Sequence, residues 1–178
     1  MKSEWERFEK ARLGDESVWR ELIECYQPRL MSLALLITGS SSEADDIVQE
    51  TFIRALRARV NHNNGSVQGY LGTIAYRLAL KENKRRTRSE ELKGIELTDQ
   101  TLSTLDNVLL DERNRQIAGV IRSLDEKHRE VLILRFYADH SYEEIAELLR
   151  ISLGTVKSRI FYAVKSCRKL FTEKGILE

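Results

Sequence analysis

The sequence predicts an all-α protein: two small helical domains joined by a flexible linker, the C-terminal one containing a helix-turn-helix. Three observations lead there. Apolar residues recur at three- and four-residue spacing through nearly every segment. No stretch alternates with period two over more than a few residues, so no sheet is expected. One stretch, Ser89 to Thr104, loses the rhythm and is dominated by Ser, Thr, Glu and Gly94. A chain of 178 residues suits one compact domain or two small ones. One proline and nine glycines argue against a collagen-like chain or a β-rich sandwich, and 42% hydrophobic residues is too many for a disordered protein.

The elements follow in order. Glu4 to Leu13, Asp15 to Gln27 and Arg29 to Thr38 read as three shorter helices, punctuated by Gly14 and Gly39, with Pro28 placed where a first helical turn tolerates proline. Ser42 is a reasonable N-cap for a helix to Arg57 that buries Ala44, Ile47, Val48, Thr51 and Ala55. From Val67, the residues Val67, Tyr70, Leu71, Ile74, Ala75 and Leu78 form the next apolar face. These elements make an N-terminal domain of about residues 1–88. The linker spans 89–104, and a C-terminal domain occupies 105–178. There the rhythm resumes with Leu105, Val108, Leu109, Ile117, Val120, Ile121 and Leu124, followed by a helix from Asp125 to about Tyr137.

Ser141-Tyr142-Glu143-Glu144 is a capping box opening a helix that buries Tyr142, Ile145, Ala146 and Leu149. After a short turn through Arg150 and Ile151, Ser152 can cap a second helix whose apolar stripe is Leu153, Val156, Ile160, Ala163, Val164 and Cys167. A short helix, a tight turn and a longer basic helix form the unit that enters a DNA major groove. The second helix carries Thr155, Lys157, Ser158, Phe161, Tyr162 and Lys165 on its other face. Long donors, hydroxyls and apolar surface for thymine methyls are what groove reading needs. Arg159 and Lys165 are better placed for phosphates, which position a helix without reading sequence. A helical hairpin with a merely solvated face is the competing account, and adjacent Phe161 and Tyr162 fit it poorly.

The near balance of 29 basic and 28 acidic side chains conceals segregation. Arg77, Lys81, Lys84, Arg85, Arg86 and Arg88 are opposed only by Glu82. Lys157, Arg159, Lys165, Arg168, Lys169 and Lys174 are opposed only by Glu173, whereas Glu43, Asp45, Asp46 and Glu50 meet no base before Arg54. More than one partner is implied. Cys25 and Cys167 make no disulfide framework, pointing to a reducing cytoplasm. The longest apolar run, Leu33 to Ile37, is far short of the ~20 residues a membrane span needs. Glu4, Glu6 and Glu9 argue against a signal peptide. No enzyme, cofactor or metal is expected: His62, His128 and His140 lack ligand spacing, and no Gly-rich phosphate loop is present.

In this order and spacing, the motifs resemble those of bacterial extracytoplasmic-function sigma factors, the group 4 members of the sigma-70 family. Glu43-Ala44-Asp45-Asp46-Ile47-Val48-Gln49-Glu50-Thr51-Phe52 resembles that family's polymerase-binding helix. Tyr70-Leu71-Gly72-Thr73-Ile74-Ala75, running into Lys84-Arg85-Arg86, is similar to its promoter −10 helix. Ser141 to Ala146 with Gly154-Thr155-Val156-Lys157-Ser158-Arg159 is similar to its −35 reader. The likeness covers almost everything except the linker.

The resemblance implies a subunit that binds core RNA polymerase, selects promoters and opens DNA without catalysing a covalent step. Asp45, Asp46, Gln49, Glu50 and Phe52 would dock on the clamp coiled coil of the largest polymerase subunit, the C-terminal domain on the flap of the second-largest. Arg77, Lys81, Lys84, Arg85 and Arg88 fall at i, i+4, i+7, i+8 and i+11, one helix face that would track −10 phosphates. The preceding loop, Asn61-His62-Asn63-Asn64-Gly65-Ser66, would hold a flipped base, its amides pairing with the base edge. An anti-sigma factor is an expected further partner. This sequence departs from many members at Tyr70 (often Trp), Arg77 (Asn), Lys81 (acidic), Ser152 (Pro), and Tyr162 and Val164 (Arg). The −35 contacts then lean on Lys157, Ser158 and Phe161.

Two other classes compete. A stand-alone regulator would bind its operator as a dimer without polymerase, but no heptad dimer seam is present. A helical adaptor that binds only proteins would show no DNA binding in any context.

Overall fold

Helix α1, Lys2–Arg12, leads through Gly14 into α2, Glu16–Thr38, whose first turn is capped by Asp15. The Asp15 carboxylate accepts from the Ser17 and Val18 amides, both at 3.1 Å, and the bond from the Ser17 hydroxyl, with those two, holds its pKa below the ordinary carboxylate range. The computed structural model describes residues 2–58, 65–92 and 112–176, and among them there is no strand.

The second and third expected helices are one. Pro28 sits inside α2, where it removes one backbone hydrogen bond and costs about 3 kcal/mol. The helix continues because its C-terminal half is the spine of the N-terminal unit, with Leu30, Leu33, Ala34, Leu35 and Leu36 buried. Gly39, at φ +72°, ends it by donating its amide to the Leu35 carbonyl at 2.8 Å. Ser40, not Ser42, then caps α3, Ser41–Arg57, accepting the Glu43 amide at 3.3 Å. The expected apolar stripe of α3 is buried as read: Ala44, Ile47, Val48, Thr51 and Ala55.

Helix α4, Val67–Leu92, crosses α2 and α3, and the Ser66 hydroxyl caps it by accepting the Gly69 amide at 3.0 Å. It runs through the first four positions of the expected linker; residues 93–104, and Leu105, Val108 and Leu109 beyond them, lie outside the described residues. At the N-terminal end, Trp5, Phe8 and Tyr70 form an aromatic cluster with ring centroids 5.6 to 5.9 Å apart.

The C-terminal unit comprises α5, Glu112–Arg122; α6, Glu126–Leu132; a π-helical turn, Ile133–Tyr137; α7, Tyr142–Leu149; and α8, Leu153–Glu173. The wider turn buries Ile133 and Leu134 while turning Phe136 outward. Both halves of the capping box are formed: Glu144 N–H to Ser141 Oγ at 3.1 Å and Ser141 N–H to Glu144 Oε2 at 2.7 Å. Arg150 makes the turn into α8 in the left-handed region, φ +55°. A small separate core of Val120, Leu124, Leu132, Ala163 and Cys167 ties α5 and α6 to α8.

The two units also pack on each other. One apolar cluster runs from Trp5 and Leu30 of the N-terminal unit to Val131, Leu134, Ala138 and Ile145 of the C-terminal unit. At this boundary Gln68 Nε2 donates to the Tyr137 carbonyl at 2.8 Å, and the Tyr76 hydroxyl donates to Glu130.

Candidate nucleic-acid interface

Helix α8 is set by its cap and its turn. The Ser152 hydroxyl accepts the Thr155 amide at 3.0 Å and lies 2.8 Å from the Thr155 hydroxyl. Val156, Ile160, Ala163 and Cys167 face inward at i, i+4, i+7 and i+11. The outer face is therefore fixed: Lys157, Ser158, Phe161, Tyr162 and Lys165 are all exposed. Phe161 and Tyr162, at 62% and 55% exposure, stand edge to face with centroids 5.4 Å apart, which settles that they are not core residues. Thr155 and Arg159 are half-buried at the margins of this face. Val164 corrects the expected apolar stripe: it is 46% exposed and lies on the outer face between Phe161 and Lys165. It falls at i+7 from Lys157, so the helical period carries it outward although its chemistry suits the core.

A second basic face lies on α4. Arg77, Lys81, Lys84, Arg85 and Arg88 are all exposed, as the spacing required. Arg85 pairs with Glu82 at 3.0 Å through Nε, the one acid within this run. Arg86 has a different task. Its guanidinium donates to the Thr38 carbonyl at 2.5 Å and to Asn83 Oδ1 at 3.0 Å, and lies 3.8 Å from Glu43, clamping the C-terminal end of α2. Asn61, His62, Asn63 and Asn64 of the expected base-capturing loop lie outside the described residues. Its last residues are in place: Gly65, at φ +95°, accepts the Trp5 indole N–H at 3.1 Å, and Ser66 caps α4.

The acidic face of α3 is likewise exposed at Asp45, Asp46 and Gln49, while Glu50 is half-exposed and bound to Arg54 at 2.6 Å. Phe52 does not belong to this surface. It is 6% exposed and meets Trp19 of α2 edge to face at 5.4 Å, so it packs the unit together and cannot be an exposed anchor.

Sequence reasoning did not reach the cleft between the units. It has a volume of about 710 Å³, and its walls include Tyr70, Thr73 and Arg77 of α4 with His140, Glu144 and Glu147 of the C-terminal unit. His140 is 4% exposed; its Nε2 lies 3.1 Å from the Thr73 hydroxyl and its Nδ1 lies 3.8 Å from Glu144. Burial lowers the His140 pKa against the opposing pull of Glu144 and Asp139, so the ring is held neutral. The juxtaposition is tertiary and leaves no periodic signal in the sequence. No group of His, Cys, Asp or Glu that could hold a metal occurs among the described residues.

Comparison with known proteins covers the same surfaces. Residues 22–89 match the family described as Sigma-70 region 2, and residues 120–169 match Sigma-70, region 4. The chain is 30% identical to the ECF RNA polymerase sigma factor SigW of Bacillus subtilis, over 92% of this chain and 94% of that protein. It is 31% identical to SigL of Mycobacterium tuberculosis, over 96% and 98%, and 34% identical to the sigma-E factor of Salmonella typhimurium, over 87% of each. Two solved structures share the fold. CnrH in complex with the cytosolic domain of CnrY has a TM-score of 0.64 at 22% identity, covering 96% of this chain and 97% of that one. The sigma factor RpoE in complex with the anti-sigma factor NepR from Bartonella quintana has a TM-score of 0.66 at 19% identity, covering 86% and 96%.

Proposed function

Because this chain belongs to the extracytoplasmic-function sigma factors of the sigma-70 family, we propose that its three charged surfaces divide the work of promoter recognition. The protein is an RNA polymerase sigma factor that directs core polymerase to specific promoters and initiates transcription. The family is not an enzyme class; polymerase supplies the chemistry. The N-terminal unit, residues 1–88, carries core and −10 binding, and residues 105–178 carry −35 binding. The cytoplasm, where polymerase works, is its place. Among the described residues no helix is long and apolar enough to cross a membrane.

The observation that carries this reading is the outer face of α8. Lys157, Phe161, Val164 and Lys165 project from a capped, buried-face helix entered by a tight left-handed turn. That arrangement offers donors for base edges and apolar surface for thymine methyls, with Arg159 at the margin for phosphate. The −10 face of α4 is a row of five exposed cations suited to backbone tracking. A base captured by residues 61–66 would draw the duplex open by favouring the unstacked state. Asp45, Asp46, Gln49 and Glu50 form a carboxylate-rich face for a basic coiled coil on core polymerase. Exposed Phe136 and the rest of the C-terminal unit are left for the flap and for an anti-sigma factor that holds the protein inactive until an envelope or other stress releases it.

Co-purification with core polymerase tests the assignment. The chain should elute with core as a one-to-one complex, and Asp46→Arg should weaken that complex while leaving helix content unchanged. Unchanged affinity for core in a competition assay would reduce the acidic face to a solvated surface.

A further inference from the structure

Helix α8 holds two neighbouring apolar side chains in water. Phe161 and Val164, 62% and 46% exposed, stand at i and i+3. At helical geometry their Cβ atoms are about 5–6 Å apart. They cannot turn inward. Val156, Ile160, Ala163 and Cys167 fill the buried face over the same turns, and the Ser152 cap fixes where the helix starts. Tyr162 meets the Phe161 ring at an interplanar angle of 79°, which steadies the ring from one side. Exposed cations close the row at both ends: Lys157 stands one turn before Phe161, and Arg168 one turn after Val164. The order along this face is cation, apolar, apolar, cation, at i, i+4, i+7 and i+11.

A helix lying in the major groove brings side chains at i, i+4 and i+7 to the bases. The outer cations suit phosphates or guanine edges, but Phe161 and Val164 can neither donate nor accept a hydrogen bond. Laid against an amino or carbonyl edge, they would strip its water and make no bond in exchange, which costs affinity. The base feature in that groove that gains from apolar cover is the methyl group on pyrimidine C5. Thymine carries it, cytosine does not, and 5-methylcytosine carries it at the same place. Base-pair steps are about 3.4 Å apart along a strand, so the pair of side chains spans neighbouring steps. We infer that Phe161 and Val164 detect pyrimidine C5-methyl groups in the −35 element, so that promoter choice responds to cytosine methylation of the DNA as well as to base sequence. The inference rests on the assignment of −35 reading to α8 and names what that face senses.

The test uses holoenzyme, reconstituted from core polymerase and the full chain, on a duplex promoter recovered from a library. Each pyrimidine of the −35 element, on either strand, is exchanged in turn. Deoxyuridine for thymidine removes one methyl group, and 5-methyldeoxycytidine for deoxycytidine adds one, with base pairing unchanged. Binding is read by competition. Covering one methyl group is worth about fourfold, from ~0.8 kcal/mol per buried CH2 group at about 1.4 kcal/mol per tenfold. At one or two neighbouring positions, deoxyuridine should lose about fourfold or methylated cytosine gain about fourfold. Val164→Ala and Phe161→Ala should each bring the effect below about twofold at the position that the side chain covers. Both side chains are exposed, and far-UV circular dichroism should show the helices intact. A methyl effect that either variant leaves unchanged at every position overturns the inference, and points to readout of DNA shape. Equal binding of methylated and unmethylated pyrimidines at every position also overturns it; where Lys157→Ala still lowers binding to the preferred element, the −35 assignment itself stands. If Lys157→Ala has no effect either, that assignment falls, and the inference falls with it.

Discussion

His140 of the C-terminal unit and Thr73 of α4 meet across the unit boundary, imidazole Nε2 to hydroxyl Oγ1 at 3.1 Å, with the ring 4% exposed. A neutral ring suits this seat, and the pKa is lowered chiefly by burial.

The sign of the pH dependence follows. The unfolded chain takes up a proton on this histidine near pH 6.5, whereas the folded chain resists it until lower pH. Its contribution to stability is therefore complete above about pH 6.5 and is lost as pH falls toward the lowered folded value. Melting temperatures should decline from pH 7 to pH 5, and His140→Gln should flatten that decline. A variant with the same slope as wild type would mean that another group governs acid sensitivity.

The capping box at Ser141 and Glu144 should be measurable by itself. Ser141→Ala leaves the Glu144 amide without its side-chain acceptor and should cost about 0.5–2 kcal/mol in urea unfolding. Glu144→Gln retains an acceptor for the Ser141 amide and should cost less. Equal losses would show that the carboxylate charge, rather than the cap geometry, matters.

Phe52 and Asp46 separate packing from binding within one helix. Phe52→Ala should lower unfolding stability by about 3–5 kcal/mol through loss of the Trp19 contact. Asp46→Arg, at an exposed position, should change stability little and lower affinity for core. The reverse pattern would contradict the placement of both residues.

These two residues also show what the sequence made legible. Helix existence and the buried stripe of α3 follow from period alone, and so do the five exposed cations of α4. Phe52 is hard to place from the motif, which sets it beside acidic residues, while the period sets it at i+4 from Val48, on the buried side. Pro28 suggests a boundary because local propensity cannot weigh the burial that carries α2 through it. Ser40 and Ser42 are chemically equal candidates for a cap, and Gly39 in the left-handed region decides between them. The close approach of Gly72 to Ala138 depends on the mutual placement of two segments far apart in sequence, which no window of residues contains.

In α8, reading and positioning should separate. If Lys157 reaches a base edge, Lys157→Ala should cost about 1–3 kcal/mol on the preferred −35 sequence and flatten discrimination at one position. Arg159→Ala, at a phosphate, should weaken all sequences alike and reduce the salt slope by about one unit. Holoenzyme binding to a −35 mutant series at several salt concentrations distinguishes them, and an exchange of the two phenotypes would mean a different helix orientation in the groove.

Run-off transcription from a promoter library, with and without core polymerase, tests the central claim most directly. Neither core nor the chain alone should give discrete products, and together they should give transcripts from a subset of templates sharing −10 and −35 sequences. Tight, sequence-specific binding of the free chain to duplex DNA, with no template-selective transcript when core is added, would contradict the account and describe a stand-alone regulator instead.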